Sequence, residues 1–405
     1  MANIKTVNEE SLVALGDAIR TKTGGEEPLV FPTGMIDAIE GIEAKVPVKP
    51  IELTGDCSYV CRGPIASAYI EANGDTITTK DISNATCMFH SSTLESIPFD
   101  LNFRQGSNAI CYIFQNATNL QHIPDFDVKH TSKAECGYAF FACHSLEQVP
   151  YIYNAYPAGM DRLFYSCTHL REIPEDYFDT WNFTYLDSYT YGYAGYMFQG
   201  CFSLRSIPPK LLSAFIGNET VKKNNTSVGY YNLAASCYSL DELIDIPIVA
   251  CELTTNALGN TVQNCCRLKN FTFETNEDGS PKTAKWKSQT LELSSGVGYS
   301  GYAPYITDYN SGITADKEVK DNATYQALKS DPDWFTTHKG YSRYNHDSAV
   351  ATINSLPDTS AYGTNTIRLN KFAGTYTDGG SIENLTDAEI AVAAAKGWTV
   401  ALVNT

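Results

Sequence analysis

From about residue 88 to residue 271, apolar residues recur on a fixed frame that is neither a helical nor a strand period. A large or apolar residue is followed three positions later by Cys or Ala, then three further on by Leu, then by a second apolar residue and usually Pro. The pattern is cleanest in Phe198-Gln-Gly-Cys201-Phe-Ser-Leu204-Arg-Ser-Ile207-Pro208. It recurs over 114–124, 140–150 and 164–174, and continues without the closing Pro over 234–243 and 262–271. A degraded copy over 88–98 puts Met88 in the Phe place and Ser91 in the Cys place. The frame leucines are Leu94, Leu120, Leu146, Leu170, Leu204, Leu240 and Leu268, at intervals of 26, 26, 24, 34, 36 and 28. An underlying period of about 25 with a Leu-x-x-apolar element predicts a leucine-rich-repeat solenoid, in which each coil buries its apolar side only by stacking on its neighbours. The expected fold is α/β, with short parallel strands in about seven coils; each Leu-x-x-Ile step would be a strand, stopped by the Pro that follows.

The same pattern predicts helices at both ends. Over 8–24, Asn8 is a cap, Leu12, Leu15 and Ile19 share one face, and Gly24 and Gly25 close the helix. Pro32 opens a second helix carrying Met35, Ile36, Ile39 and Ile42. A hairpin this small must dock on something to be stable, and the stiff 45–50 linker favours an assembly element over a solenoid cap. At the other end, 346–356 reads as a helix and 365–370 as a strand. Thr386 and Glu389 form a capping box, Gly397 ends the second helix, and 398–402 is a closing strand. The expected organisation is 1–45 docking module, 46–84 linker with a small β region, 85–275 repeats, 276–344 Tyr/Gly-rich insertion with a helix near 321–330, and 345–405 helix-strand cap extending the same sheet.

Composition narrows the function. Of 405 residues 43% are hydrophobic, enough for a core, and Asp+Glu outnumber Lys+Arg by 46 to 29, a net charge of −17. That balance argues against nucleic acid or an anionic membrane as the main partner. No apolar run is long enough to insert in a membrane, and no signal-peptide core follows Met1, so synthesis and folding in a cytosol are expected. The 12 cysteines are then expected to be thiols. Five of them, Cys143, Cys167, Cys201, Cys237 and Cys265, share one frame position with Ala117, which marks a small buried filler and not a metal or redox column. No Cys-x-x-Cys pair, phosphate loop, Gly-x-Ser-x-Gly or His-Glu-x-x-His occurs, so neither enzyme, cofactor nor metal is expected. Asp331, Asp333 and Trp334 are read as a helix stop in place of a sugar-cleaving site, and Asp308 and Asn310 lack the later ligands of a calcium loop.

Aromatic residues are abundant, with 26 Tyr, 18 Phe and 4 Trp. The connection from a repeat Pro to the next frame residue is 14 to 16 positions in three copies, but 24 from Pro174 to Phe198 and 26 from Pro208 to Ala234. Consecutive insertions emerge side by side on a solenoid edge. The first carries Tyr185, Tyr189, Tyr191, Tyr193 and Tyr196, and the second Lys222, Lys223, Tyr230 and Tyr231. These tyrosines are the expected ligand face, since a phenol ring joins a rigid apolar surface to a polar tip.

The repeat resembles the BspA-like leucine-rich repeats of bacterial surface proteins and phage virion proteins. The segments 10–24 and 31–39 resemble the N-terminal module of phage tail, baseplate and fibre proteins, and 344–357 with 385–399 resemble the C-terminal module of phage-encoded repeat proteins. The resemblance implies a non-enzymatic virion protein of the tail fibre or baseplate, released by lysis. Its docking module, carrying Leu12, Leu15, Ile19, Met35 and Ile39, would meet other virion proteins. Its solenoid would meet a host-surface glycan or protein, and a homo-oligomer is expected. The alternatives are a bacterial BspA-like adhesin and a head fibre or decoration protein.

Overall fold

The computed structural model describes residues 50–185, 195–215, 230–248, 258–265, 268–294, 344, 346–370 and 385–403. The chain divides into two compact units, Met1–Ile51 and Glu52–Thr405. The expected docking helices, with Leu12, Leu15, Ile19, Met35 and Ile39, lie outside the described residues, as does the expected helix near 321–330.

In the second unit the chain is laid down in rungs, one per repeat. Each rung contains two successive turns. The N–H of Ile113 donates to Ile110 and that of Ala117 to Phe114, three residues back in each case, and the third residue of each turn, Tyr112 or Asn116, has positive φ as in a type II turn. The N–H groups left over point along the stack. Those of Tyr112, Phe114 and Asn116 donate to the carbonyls of Gly137, Ala139 and Phe141 at 2.8–3.2 Å, and one rung on Tyr138, Phe140 and Ala142 donate to Asp161, Leu163 and Tyr165 at 2.7–3.0 Å. The series continues from Phe164 to Met197, Phe198 to Leu233 and Ala234 to Thr261. Backbone groups buried in an interior that offers no water thus find partners in the neighbouring rung.

Two corrections to the sequence frame follow. The N–H of Phe89 donates to Ile113 and its ring stacks on Phe114 at 5.5 Å, so Phe89, not Met88, holds the Phe place and Ser92, not Ser91, the Cys place. The first copy is one residue shorter between that place and its Leu. A further rung precedes it, because Tyr59, Cys61 and Gly63 donate to Thr86, Met88 and His90 at 3.0–3.1 Å. The stretch expected as a linker with a small β region holds strands β1 (Ile51–Asp56) and β2 (Ile77–Asn84), paired with each other, and also helix α1 (Gly63–Asn73), opened by Pro64.

Three columns run through the interior. Phe89, Phe114, Phe140, Phe164 and Phe198 form a ladder with centroids 5.4–5.8 Å apart and planes within 18°, each ring fully buried. The frame leucines form a second column and are equally buried. In the third, each Cys thiol donates to the carbonyl of the frame residue one rung earlier: Cys143 to Phe114, Cys167 to Phe140, Cys201 to Phe164, Cys237 to Phe198 and Cys265 to Ala234, at 3.0–3.1 Å. These residues are fillers with a second role, joining consecutive rungs by a weak S–H bond. Burial pushes all their thiols upward in pKa where a shift is resolved.

The strands differ from expectation in place and extent. Paired segments are β3 (Phe126–Asp127) with β5 (Ile152–Tyr153), β4 (Ala134–Glu135) with β6 (Pro157–Gly159), and β7 (Glu242–Ile246) with β8 (Asn270–Phe273), all parallel. Only β7 and β8 take in the end of the Leu-x-x-apolar step, Leu243 and Phe271, with Leu240 and Leu268 outside the strands, and neither step has Pro directly after it. Where Pro124 and Pro150 follow the step, pairing resumes two residues beyond the ring, which has no N–H to give, and the step itself keeps only bridges such as Ser96 with His122. Helix α2 (Pro209–Phe215) follows Pro208.

The C-terminal part has the expected elements, α3 (His346–Ser355), β10 (Asn365–Asn370), α4 (Asp387–Ala395) and β11 (Trp398–Val403). They do not prolong the repeat sheet. With β9 (Thr290–Leu293), which lies inside the expected insertion, they build a separate parallel sheet in the order β11-β10-β9. The two parts are joined by α3: Thr352 Oγ1 donates to the Phe271 carbonyl, and Ser355 Oγ accepts from Phe273 N–H. Gly397 has φ +82, and a Cβ there would stand 2.9 Å from the backbone nitrogen of Ser360, so both conformation and space require glycine.

Candidate functional site

Of the seven tyrosines expected to bind ligand, Tyr189, Tyr191 and Tyr193 lie outside the described residues, and Tyr185 ends a short 3-10 turn, Phe183–Tyr185, with its side chain undescribed. Tyr230 belongs to the core. It is fully buried and its hydroxyl donates to the Pro247 carbonyl, so no ligand reaches it, and the reading of Tyr230 as a binding residue is corrected to packing. Tyr196 and Tyr231 do meet: the Tyr196 N–H donates to the Tyr231 carbonyl, and the rings stand edge to face at 5.5 Å.

Tyr196 leads to a face that the sequence frame did not single out. Number each rung from its Phe place, so that 114 is position 0. Both position −2 and position +2 have positive φ in every rung. Position +2 holds Gly63, Ser91, Asn116, Ala142, Ser166, Gly200, Ser236 and Asn264, with φ from 56° to 77°. Small residues and Asn suit that backbone. Position −2 holds Tyr59, Cys87, Tyr112, Tyr138, Arg162, Tyr196, Asn232 and Asn260, with φ from 52° to 63°. Five of those eight are long side chains in a conformation that costs an ordinary residue about 1–2 kcal/mol. Backbone strain of this kind concentrates where side-chain identity matters to function.

The −2 side chains touch in sequence along the stack. Tyr112 and Tyr138 are 5.0 Å apart at 32°, and the Arg162 guanidinium lies between Tyr138 and Tyr196, 5.3 and 4.5 Å from their centroids. Tyr196 in turn hydrogen-bonds the Asn232 side chain. A parallel row at position +1 contains Phe141 and Tyr165, stacked at 4.8 Å and 4°, with Tyr138 5.5 Å from Phe141. Tyr112, Tyr138, Phe141, Arg162, Tyr165 and Tyr196 are all half-buried, so each shows one side to solvent. Tyr112 with Tyr138, and Phe141 with Tyr165, thus cover part of one another's ring faces.

The charge of this face is balanced. Arg162 Nη1 donates to the Tyr138 hydroxyl and lies 3.4 Å from Asp161 Oδ2. Asp161 sits where Gly137 of the previous rung leaves room; a Cβ there would stand 2.9 Å from its Oδ1. Burial holds the Asp161 carboxyl above the usual carboxylate range despite the opposing pull of Arg162, and burial likewise raises the Tyr138 and Tyr196 phenols.

Elsewhere, α1 and residues 93–98 of the Phe89 rung frame an open groove of about 540 Å³ between Glu71, Asn73, Asp75, Glu95 and Pro98. It has no aromatic or cationic side chain to grip a ligand. Among the described residues no group of three His, Cys, Asp or Glu is placed to hold a metal ion. Asp308, Asn310, Asp331, Asp333 and Trp334 lie outside them. Comparison of the chain with protein-family models, curated proteins and solved structures finds no match. The −2 row was legible as φ-independent letters only, since Tyr112, Tyr138 and Tyr196 sit two before a Phe; their shared strain is visible only in the backbone.

Proposed function

We propose that the chain is a non-enzymatic structural protein of a phage virion, of the tail fibre or baseplate type. Residues 1–45 are its docking module toward other virion proteins, and the rungs form a leucine-rich-repeat solenoid that displays a recognition face to the host cell surface. Homo-oligomers in the particle present several such faces. The observation that carries this reading is the −2 row, long side chains kept at backbone positions that the +2 column fills with small ones. Stacking alone explains the Phe, Leu and Cys columns, but it does not call for Tyr or Arg on a solvent-facing strained position. The rung-to-rung donation pattern supports the solenoid, because successive segments bond to the ones about a period away.

Antibodies against the rungs provide the test. Gold-labelled antibody is expected on one end of intact particles, and bound Fab is expected to block adsorption to host cells. Labelling of uninfected bacterial surfaces instead, with particles bare, would overturn the virion reading in favour of a bacterial adhesin.

A further inference from the structure

Among the described rungs, the first is left open on its leading side. From Met88 to Thr261 the seven later residues at position −1 are at most 1% exposed, and the carbonyl of each accepts an N–H from the rung before, as Met88 does from Cys61 and Ile113 from Phe89. Val60 holds that position in the first rung. Its side chain is 48% exposed, and among the described residues neither its carbonyl nor that of Ser58 has a donor. Helix α1 adds to the same end. Ser67 Oγ ties the helix to the next copy through Ser92 Oγ and the Thr93 N–H, and Ile65 and Tyr69 each stand two residues from Ser67, about 200° around the helix. They are 88% and 43% exposed, with Ala68 and Ala72 exposed on the same side. A surface helix ordinarily turns charge outward, and the terminal repeat of a soluble solenoid ordinarily has a polar outer face. Here both are apolar: Tyr59, Val60, Ile65 and Tyr69 are four of the seven large apolar residues exposed among the described residues.

Complementary charge decides what can cover this end. A second copy turned about a two-fold axis would set carbonyl against carbonyl and leave both rows without donors. The later rungs show what does fit, a length of backbone with N–H groups at alternate residues, laid over position −1. The charged residues of 51–73 are Glu52, Asp56 and Glu71 against Arg62, all exposed, so basic flanks suit the segment that lies there. We propose that the open end of the stack binds an extended, apolar segment of another protein, with basic flanks, added as one more strand-like course. Its N–H groups donate to the Ser58 and Val60 carbonyls, and its apolar side chains cover Val60, Ile65 and Tyr69. In the virion reading above, the segment belongs to a neighbouring protein of the particle; the binding itself does not require that reading.

Selection of a random heptapeptide display library against the full chain tests this. Enriched peptides are expected to alternate β-branched or aromatic residues with polar ones and to carry Lys or Arg at their ends. The leading peptide, fluorescently labelled and titrated by anisotropy, is expected to bind about tenfold more weakly once alternate amide nitrogens are methylated. It should also bind about tenfold more weakly to the Ile65→Ser chain, whose melting temperature is expected to be unchanged because that side chain is 88% exposed. Val60→Ser reads the same contact from the rung. No enrichment, enrichment of acidic peptides, or full affinity of the methylated peptide or of both variant chains would each overturn the assignment. Sedimentation of the chain alone is the other arm: a dimer that Ile65→Ser dissolves would make the occupant a second copy and overturn it likewise.

Discussion

Cys201, Leu204 and Gly200 sit within five residues of each other, yet the structure assigns them unequal weight. Leu204 is fully buried in the Leu column, so Leu204→Ala should cost about 2–5 kcal/mol, the usual price of a core truncation. Cys201→Ala removes one small atom and a weak S–H bond to the Phe164 carbonyl, and Ala117 already fills the equivalent place; a loss of about 1 kcal/mol is expected in denaturant melts. Gly200 has φ +77, and an added Cβ would stand 3.0 Å from Ser166 Oγ, so Gly200→Ala should cost about 1–2 kcal/mol. A titratable residue adds a pH term. His130 is buried, its Nδ1 accepts from the Tyr156 N–H, and its Nε2 has no partner among the described residues. Burial depresses it to about 4 from 6.5, with Asp127 opposing. Below pH 6.5 the unfolded chain therefore takes up a proton that the folded chain refuses. His130 should remove stability at about 1.4 kcal/mol per pH unit as pH falls from 6.5 toward 4, and no further below that. Denaturant midpoints across this range should show the slope, and His130→Leu should lose His130's share of it.

Among the elements, α4 is the one whose start is best determined. Thr386 Oγ1 accepts from Glu389 N–H while Glu389 Oε2 accepts from Thr386 N–H, the reciprocal box read from the letters. Thr386→Ala should cost about 1 kcal/mol, read as a lower thermal midpoint. Lys396 closes the neighbouring helix by donating to the Ile353 and Asn354 carbonyls at the end of α3. These local devices were legible because each depends on residues a few positions apart. The repeat columns were legible too, since buried positions tolerate few residue types. Strand placement was not: Pro124 and Pro150 were read as strand ends, whereas the missing N–H merely postpones pairing to β3 and β5. The first rung escaped because Cys61 replaces Phe there, and the 88–98 copy was misphased because a one-residue deletion leaves its Leu in register. The −2 face could not be read, because which residues of a turn take positive φ and point outward depends on the rungs above and below. For the same reason the sequence does not separate Tyr230 from Tyr231, although the first is core and the second half-buried.

For the molecule as a whole, the chain divides at Ile51 and Glu52, and removal of residues 1–45 is expected to leave the rungs folded. The truncated chain should keep its cooperative melting transition while failing to enter particles; loss of the transition would make the first unit a cap on the stack. Among the described residues the rung-to-rung hydrogen bonds and ring stacks join adjacent copies, so opening is expected to begin at an end and work inward. That gives the thiol column a use. Cys143, Cys167, Cys201, Cys237 and Cys265 are each sealed in a different rung, and none reacts with an alkylating reagent until its own rung opens. Five labelling rates, resolved by peptide mass, amount to five independent clocks set along one molecule, and their order would reveal the direction in which it comes apart.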